Sequence, residues 1–458
     1  MKGRRVVALL MSTLLVGTLL GGCQKDEGTV EEKPTQTTEG EGNAQTEPAP
    51  EGDKPYEGQT LQLAHNFLDS TMDGFQAQFT AFEEKYGCKV EVELLAENAD
   101  EAESVLLTRA ATGNLPDIFC ASSGAKLQEF APADNIYDIS GEAFVDRLTD
   151  EFIEIVDGEN GEVYGVPLRP SNVAGVFYNK KVYEELKLEI PTTWEEFLNN
   201  CQVIKDSTDK APVVGAYDGA AGRQILFLSQ YYYVVQENPD FAEQYTNKEI
   251  TLSESPAYMR GLQKLYDLNE KGYLNSDPLS TSFDDSAIML TEGTAVHTFS
   301  RTNIVGTIEN VAPDKVEDIG FFPLPDESSD VQGVAIWLPQ CWCISQSSEN
   351  KELALLLFDF LVSDEGIAAY CEGTNPTGAF AVKGSQLPED VSTVVKDAQE
   401  WANQASTPVM EYSCDIKGSN LSTILSMVGT GELTPEKGVE EIEADNAIDA
   451  QQKGIAGW

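Results

Sequence analysis

The pattern of hydrophobic and polar positions divides the chain into three parts. Residues 6–20 are mostly apolar, residues 24–55 contain no aromatic and almost no aliphatic side chain, and strand-like and helix-like periods alternate from about residue 58 onward. Residues 24–55 cannot bury a core, because a segment almost without apolar side chains has nothing to bury, whereas the third part can. The pattern therefore predicts a folded body that follows an apolar leader and a polar tether.

The first elements of the body alternate between strands and helices. In order, they are a strand at 61–66, a helix at 73–86, a strand at 89–95, a helix at 99–112 and a buried strand at 115–121. In the first helix Phe75, Phe79 and Phe82 share one face and are expected in the core. This alternation favours an α/β fold with a largely parallel sheet covered on both faces, where ligands bind beyond the carboxyl ends of the strands.

The apolar leader is too short to span a bilayer. It is about 15 residues long, where about 20 are needed to cross a ~30 Å hydrocarbon core, and three basic residues precede it. Residues 19–23, Leu-Leu-Gly-Gly-Cys, resemble a bacterial lipoprotein signal that is cleaved before Cys23 and lipidated on its thiol. An ordinary secretory signal containing a cysteine is the alternative. We expect a signal peptide over residues 1–22 and, over 23–57, the lipidated cysteine with a disordered acidic tether.

Charge and histidine content argue against several functions. The 458 residues include 77 Asp+Glu and 30 Lys+Arg, which gives a formal net charge of −47. Such a field repels nucleic acid and disfavours anionic ligands, which leaves neutral sugars first and cationic solutes second. The only histidines are His65 and His297, so a mechanism built on a histidine cluster lacks its residues. We predict no metal and no cofactor, and we expect His297 in the core.

Seven cysteines remain after Cys23. An odd number cannot pair completely within one chain, and the spacing is wide and irregular. Cys341 and Cys343 are separated by a single residue, which is neither a redox nor a zinc spacing. Buried free thiols are therefore expected rather than a disulfide framework.

Several short segments follow one another in an order that is typical of a known family. They are 113–119 (Gly-Asn-Leu-Pro-Asp-Ile-Phe), 163–168 (Val-Tyr-Gly-Val-Pro-Leu), 176–180 (Val-Phe-Tyr-Asn-Lys), 191–197 (Pro-Thr-Thr-Trp-Glu-Glu-Phe), 289–296, 350–366 and 433–441. Together they resemble the extracellular solute-binding protein family 1 of ABC importers, the maltose-binding-protein-like group. The resemblance extends from about residue 58 to the end of the chain.

The resemblance implies a two-lobed periplasmic-binding-protein-like fold of type II, with central mixed sheets flanked by helices and a hinge between the lobes. Crossings between the lobes are expected near Leu168, Ser300 and Cys341. Lobe 1 is then expected at 58–168 and 300–341, and lobe 2 at 169–299 and 342–458. A ligand between the lobes would close them and present a composite surface to a permease.

The ligand site is expected in the loops after strands. A sugar needs aromatic rings against its C–H faces and planar polar groups for its hydroxyls. The candidates are Asn66, Asp69, Ser122, Ser123, Arg169, Asn172, Tyr217, Asp218, Arg301, Trp337 and Tyr412. An ion pair across the hinge is the alternative for Arg169, and a core position is the alternative for Trp337. The segment 299–302 (Phe-Ser-Arg-Thr) replaces the Gly/Trp that is usual in the family at the end of a strand, so Arg301 is expected to bond a hydroxyl or a carboxylate, and the exact sugar stays open.

These features predict a lipid-anchored substrate-binding subunit on the extracytoplasmic face of a bacterial membrane. It would bind an oligosaccharide, act as a monomer without enzymatic activity, and deliver its ligand to separate permease and ATPase subunits. A polyamine, a peptide or a ferric ion on the same scaffold is the alternative, since a fold does not determine its ligand. The adjacent tyrosines 231–233 suit iron poorly, because neighbours on a helix point about 100° apart. A glycoside hydrolase with two carboxylates is less favoured.

Overall fold

The structure, a computed structural model, describes most of the chain beyond the predicted tether. The predicted signal peptide, Cys23, nearly all of the tether and Asp69 lie outside the described residues. The described ranges are 56–67, 71–96, 99–158 and 160–458. None of their helices combines the length and the apolar character that crossing a membrane requires.

Strands and helices alternate along the described chain, as the hydrophobic pattern predicts. The strands are β1 (Thr60–His65), β2 (Lys89–Leu94), β3 (Ile118–Ala121), β4 (Val166–Pro167), β5 (Asn172–Asn179), β6 (Ala211–Val214), β7 (Ala295–Arg301), β8 (Ile319–Phe322), β9 (Val334–Trp337), β10 (Cys341–Ile344) and β11 (Ser406–Pro408). The helices are α1 (Thr71–Tyr86), α2 (Ala99–Thr112), α3 (Pro132–Asn135), α4 (Asp150–Ile153), α5 (Lys180–Leu186), α6 (Trp194–Ser207), α7 (Ala220–Ser229), α8 (Tyr231–Glu237), α9 (Phe241–Thr246), α10 (Pro256–Glu270), α11 (Phe283–Glu292), α12 (Ile304–Val311), α13 (Lys351–Leu361), α14 (Asp364–Gly373), α15 (Thr393–Gln404), α16 (Leu421–Gly429) and α17 (Pro435–Lys453).

The first sheet has the strand order β2-β1-β3-β10-β4. Its first three strands are parallel, and β10 runs antiparallel to both β3 and β4. Phe75, Phe79 and Phe82 of α1 are buried against this sheet, as their spacing predicts, and the ring centres of Phe75 and Trp342 are 5.2 Å apart. The core of this half therefore joins the N-terminal helix to a strand that lies far away in sequence.

The second sheet has the strand order β11-β9-β5-β7-β6, and β8 also pairs with β5. The long strand β5 runs antiparallel to β7, β8 and β9. Its start therefore lies at the same sheet edge as the ends of β7 and β9. In register, Ala174 is opposite Arg301 and Asn172 is opposite Trp337.

The two sheets and their hydrophobic cores define two lobes. The first lobe comprises residues 56–168 and 338–382, and the second comprises 172–337 and 391–458. This division differs from the expected boundaries after residue 300. The chain does not cross near Ser300, because β8 and β9 stay paired with β5, and β10 with α13 and α14 returns to the first lobe.

Backbone hydrogen bonds join the segments in which the chain crosses between lobes. The amide of Leu168 donates to the Gln340 carbonyl at 3.1 Å, which links the first crossing (168–172) to the second (337–341). The amide of Ser171 donates to the Ala379 carbonyl at 2.8 Å, just before the third crossing (382–391). The first two crossings are therefore side by side, and the segment that leads into the third lies against them, as in a hinge.

The seven cysteines after Cys23 are free thiols, as expected, and all except Cys371 are buried. Burial raises the pKa of the Cys120 thiol to about 12, so this thiol stays protonated and unreactive at neutral pH. The three tyrosines 231–233 on α8 are all buried in the second lobe. His297 is also buried, between the Tyr183 hydroxyl and the Pro212 carbonyl, so its expected core position is confirmed.

Candidate functional site

One edge of the second sheet faces the first lobe and carries several of the candidate residues. Arg301 ends β7, Trp337 ends β9 and Asn172 begins β5. The antiparallel pairing of β5 with β7 and β9 brings these three positions together. Arg169 lies just before β5, in the first crossing. The sheet register therefore builds a cluster of polar and aromatic groups between the lobes.

Arg301 lies over the ring of Trp337. The central carbon of the guanidinium is 5.4 Å from the ring centre, within the range of a cation–π contact. Burial, together with the positive charge of Arg169, lowers the pKa of Arg301 to about 10, so the group remains charged at neutral pH. Trp337 also packs on Ala174 and Ala335, so the ring serves both the core and the cluster.

Arg169 lies over the ring of Phe67 in the first lobe. Its guanidinium carbon is 4.8 Å from the ring centre. The Nε atom is buried, and among the described residues Arg169 has neither a hydrogen-bond partner for this atom nor an ion pair. The expected alternative, an ion pair across the hinge, is therefore absent from the described part of the chain. A charged group of the first crossing instead covers an aromatic ring of the first lobe.

A cavity of about 440 Å³ opens between the lobes beside Arg169. Thr71 and Thr377 line it from the first lobe, and Asn172 and Asn303 line it from the second. Asn303 immediately precedes α12, and its side-chain Oδ1 is buried without a hydrogen-bond partner. Both lobes thus contribute polar side chains to one space, and two buried polar atoms there, Arg169 Nε and Asn303 Oδ1, have no hydrogen-bond partner among the described residues.

Asn172 connects the two lobes at this edge. Its Oδ1 accepts hydrogen bonds from the Thr302 hydroxyl at 3.3 Å and from the Thr377 hydroxyl at 3.4 Å. Thr302 belongs to the second lobe and Thr377 to the first. Asn172 is itself buried, so it contributes to the wall of the cavity and to the contact between the lobes.

Tyr412 and Ser123 both bond the backbone of the second crossing. The Tyr412 hydroxyl donates to the Leu338 carbonyl at 2.8 Å, and the Ser123 hydroxyl donates to the Pro339 carbonyl at 2.9 Å. Ser122 is the half-buried residue beside Ser123, directly after β3. Asn66 is buried after β1, where its Oδ1 accepts a weak hydrogen bond from the Cys120 thiol at 3.7 Å. Ser123 and Tyr412 therefore fix the crossing that Trp337 begins.

Tyr217 and Asp218 follow β6, which runs parallel to β7 and therefore ends at the same sheet edge as Arg301. Tyr217 is buried against Gly429, where a Cβ atom would come within 2.8 Å of the tyrosine hydroxyl. Burial raises the pKa of this hydroxyl. Asp218 is exposed in the loop after β6, and Arg223 donates to its backbone carbonyl at 3.3 Å. The structure thus gives Tyr217 a packing role that the loop position alone did not indicate.

Two residues of the cluster were not among the sequence candidates. Phe67 follows the candidate Asn66 directly, so its position after the first strand was a usable signal. Asn303 lies two residues after Arg301, and polar residues before a helix usually cap it, which made a structural role the simpler interpretation. Within the described ranges, no group of three His, Cys, Asp or Glu side chains could hold a metal ion.

Comparison with known proteins identifies the family of the chain. A model of the family described as "Bacterial extracellular solute-binding protein" matches residues 68–368. A multiple sugar-binding protein of Streptococcus mutans is 31% identical over 139 residues, which are 30% of this chain and 31% of that protein. The aligned part therefore spans less than a third of that relative's length.

A second relative and a solved structure cover most of the chain. An uncharacterized ABC transporter extracellular-binding protein of Pyrococcus horikoshii is 23% identical over 362 residues, 78% of this chain and 77% of that protein. The solved structure of a chitin oligosaccharide binding protein superposes with a TM-score of 0.72 at 20% identity, covering 86% of this chain and 100% of that one. This likeness shows the same two-lobed fold.

Proposed function

The chain belongs to the bacterial extracellular solute-binding proteins, and from this premise we propose that it binds an oligosaccharide between its lobes for an ABC importer. The family is one of binding proteins rather than enzymes. The observation that carries the proposal is the cluster at the inter-lobe edge, where Arg169 and Arg301 stack on Phe67 and Trp337.

The cluster has the chemistry that sugar binding requires. Aromatic rings pack against the C–H faces of a pyranose, and guanidinium and amide groups bond its hydroxyls. The adjoining cavity of about 440 Å³ falls within the usual size range of small-molecule sites, roughly 300–1,000 Å³. The names of relatives that bind a sugar and a chitin oligosaccharide support the same ligand class.

Binding is proposed to close the lobes about the three adjacent crossings. A ligand that contacts Phe67 in the first lobe and Trp337 in the second interacts with both only when the cleft is closed. Its binding energy therefore shifts the population toward the closed form. The closed form would present one composite surface to separate permease subunits.

We also propose that the protein is held at the extracytoplasmic face of the cell membrane by lipid on Cys23. The leader followed by Leu-Leu-Gly-Gly-Cys at 19–23 supports this anchor. Acyl chains contribute about 0.8 kcal/mol per buried CH₂, so multiple acylation retains a protein at a membrane. Replacing Cys23→Ala should release the protein from the membrane fraction and abolish labelling by radioactive palmitate. Unchanged membrane retention would contradict the anchor.

A thermal-shift screen of the mature chain tests the ligand class. The panel contains neutral and acidic oligosaccharides, amino acids, a polyamine and ferric iron. A ligand at 100 times its Kd adds about 2.7 kcal/mol to the free energy of unfolding, which raises the melting temperature. We expect a saccharide to do so and to be recovered unaltered after incubation. A shift by polyamine or iron alone would overturn the proposal, and released reducing ends would indicate a hydrolase.

A further inference from the structure

The two arginines of the cleft differ from every other arginine in the described ranges. The others have polar partners: Arg109 bonds Glu93, Arg147 bonds Asp359, Arg260 bonds Asp326 and Glu237, and Arg223 donates to the carbonyls of Tyr217 and Asp218. Arg169 and Arg301 form no ion pair and no side-chain hydrogen bond with any described residue. In a chain with 77 acidic residues, two partly buried cations form no ion pair with any acidic residue that the structure describes.

The surroundings of these arginines compensate their charge only in part. Each guanidinium faces an aromatic ring, which attracts a cation but offers it no hydrogen-bond acceptor. Burial disfavours the charged form of Arg301, and the like charge of Arg169 adds to this effect. Glu411 also acts on Arg301, but its carboxylate is engaged by Lys417. An anion placed here would provide the missing acceptors.

The shape of a guanidinium favours one kind of anion. Its planar set of N–H donors matches the two oxygens of a carboxylate and binds them side by side. We propose that the saccharide bound between the lobes is an acidic one, whose carboxylate, as in a uronic acid, bonds the guanidiniums of Arg169 and Arg301. This inference rests on the proposed function and names its substrate class.

The large negative charge of the whole chain does not oppose this assignment. Exposed charges are screened over a Debye length of about 8–10 Å in ordinary salt, whereas the two guanidiniums would contact the ligand directly. The field of the distant carboxylates slows the approach of an anion more than it weakens the bound state. Asp284 also lines the cavity, so the local charge there is mixed, and the preference for an anion rests on the two unpaired guanidiniums. The expectation of a neutral sugar changes accordingly.

Calorimetric titration with matched saccharides tests the assignment. The probes are di- and trigalacturonate and glucuronate-bearing xylo-oligosaccharides, their methyl esters, and the neutral parent oligosaccharides. A methyl ester keeps the shape of the acid and removes its charge. We expect the wild-type chain to bind at least one acid tenfold or more tightly than its ester, which corresponds to 1.4 kcal/mol or more.

Variants then assign the preference to the two arginines. Arg301→Met and Arg169→Met should each bind acid and ester with similar affinity. Arg301→Lys keeps the charge but lacks the planar set of N–H donors, so it should retain part of the preference for the acid. It replaces Arg301→Met in the comparison if the Met variant does not fold. Arg109→Gln is the matched control, because Arg109 pairs with Glu93 at the surface of the first lobe. It should keep the full preference.

The possible results separate this inference from the proposed function. Neutral saccharides that bind as tightly as the acids would overturn the inference and leave the proposed function in place. Binding of a sulfated disaccharide without binding of any carboxylated one would overturn the assignment of the anionic group as a carboxylate. Failure of every saccharide to bind would overturn both. A preference for acids that persists in both Met variants would show that Arg169 and Arg301 do not determine it, which would overturn the inference.

Discussion

The guanidinium of Arg301 lies 5.4 Å from the centre of the Trp337 ring. The two residues lie at the ends of β7 and β9, the strands that flank β5. Neither residue is adjacent to the other in sequence, and their contact follows from the pairing of Ala174 with Arg301 and of Asn172 with Trp337. The sheet register thus places a cation on an indole ring at the edge that faces the first lobe. Any ligand that bonds Arg301 changes the surroundings of this ring.

Tryptophan fluorescence should therefore report ligand binding through Trp337. We expect a saccharide that binds the wild-type chain to change the intensity or the emission maximum, because the charge near the indole is neutralised or moved. Trp337→Phe should lose most of this change while it retains an aromatic ring. Trp401→Phe is the matched control, since Trp401 packs on the core of the second lobe around α15. A signal that survives Trp337→Phe and disappears in Trp401→Phe would contradict the site.

A buried ion pair in the second lobe predicts a large loss of stability when it is broken. Lys264 and Asp326 are almost fully buried, with Nζ and Oδ1 2.8 Å apart, and Arg260 also bonds Asp326 at 2.7 Å. Asp326→Ala leaves two cations without their carboxylate, so we expect the free energy of unfolding to fall by about 3–5 kcal/mol in urea denaturation.

An exposed pair provides the control for that experiment. Lys85 and Glu365 form an ion pair whose side chains are 42% and 57% exposed. Glu365→Ala should lower the free energy of unfolding by less than about 1 kcal/mol, since water screens the pair. Equal effects of Asp326→Ala and Glu365→Ala would mean that burial does not govern the strength of these pairs.

The two histidines predict how stability depends on pH. Burial lowers the pKa of His65 and of His297 to about 4 in the folded chain, whereas both titrate near 6.5 when unfolded. The unfolded chain therefore binds protons first as the pH falls. The contribution of each histidine to stability is complete above pH 6.5 and is lost toward pH 4, by up to about 3 kcal/mol per histidine.

Proton NMR measures this directly, because the chain contains only two imidazole signals. We expect the ring Hε1 shifts of the folded protein to stay constant between pH 8 and pH 5.5. In concentrated urea the same signals should titrate near pH 6.5, which is the internal control. A midpoint near 6.5 in the folded protein would show that His65 or His297 is accessible to protons.

Gly378 predicts a test of the hinge. A Cβ atom on this residue would lie 2.1 Å from the carbonyl oxygen of Ser171 in the first crossing. Gly378→Ala must push the two segments apart, so we expect it to lower the free energy of unfolding by about 1–3 kcal/mol, which is the usual cost of overpacking. Gly141→Ala is the control, because a Cβ there meets no atom within 4 Å. Equal melting temperatures for both variants would contradict the close approach of Gly378 to the first crossing.

Local pattern was sufficient for the elements and for part of the cluster. The spacing of Phe75, Phe79 and Phe82 predicted a buried helix face, and this prediction is confirmed although α1 begins two residues earlier, at Thr71. Arg301 could be nominated because it lies at the end of an expected strand, where it departs from the family pattern, and Trp337 because it lies near an expected crossing. Their mutual contact could not be predicted, since it depends on strand pairing rather than on spacing.

Long-range pairing accounts for what the sequence could not indicate. The strand β10 inserts between β3 and β4, more than 170 residues after the nearer of them, and this moves the lobe boundary from the expected position. Tyr217 was a candidate from its loop position, but a glycine at 429 leaves room for its ring in the core. Arg169 and Arg301 are unpaired because no described acidic side chain lies within ion-pair distance of them. Composition does not indicate which charged side chains the fold brings together.

Hydrogen exchange of backbone amides tests the central claim most directly, because it locates the ligand without altering the chain. In the presence of the saccharide found by titration, peptides that cover Phe67, Arg169, Arg301 and Trp337 should all become protected, and they come from both lobes and the hinge. Peptides from α10 (Pro256–Glu270) should exchange at unchanged rates. Protection confined to one lobe, or absent from the Arg169 and Arg301 peptides while the ligand is bound, would contradict binding between the lobes.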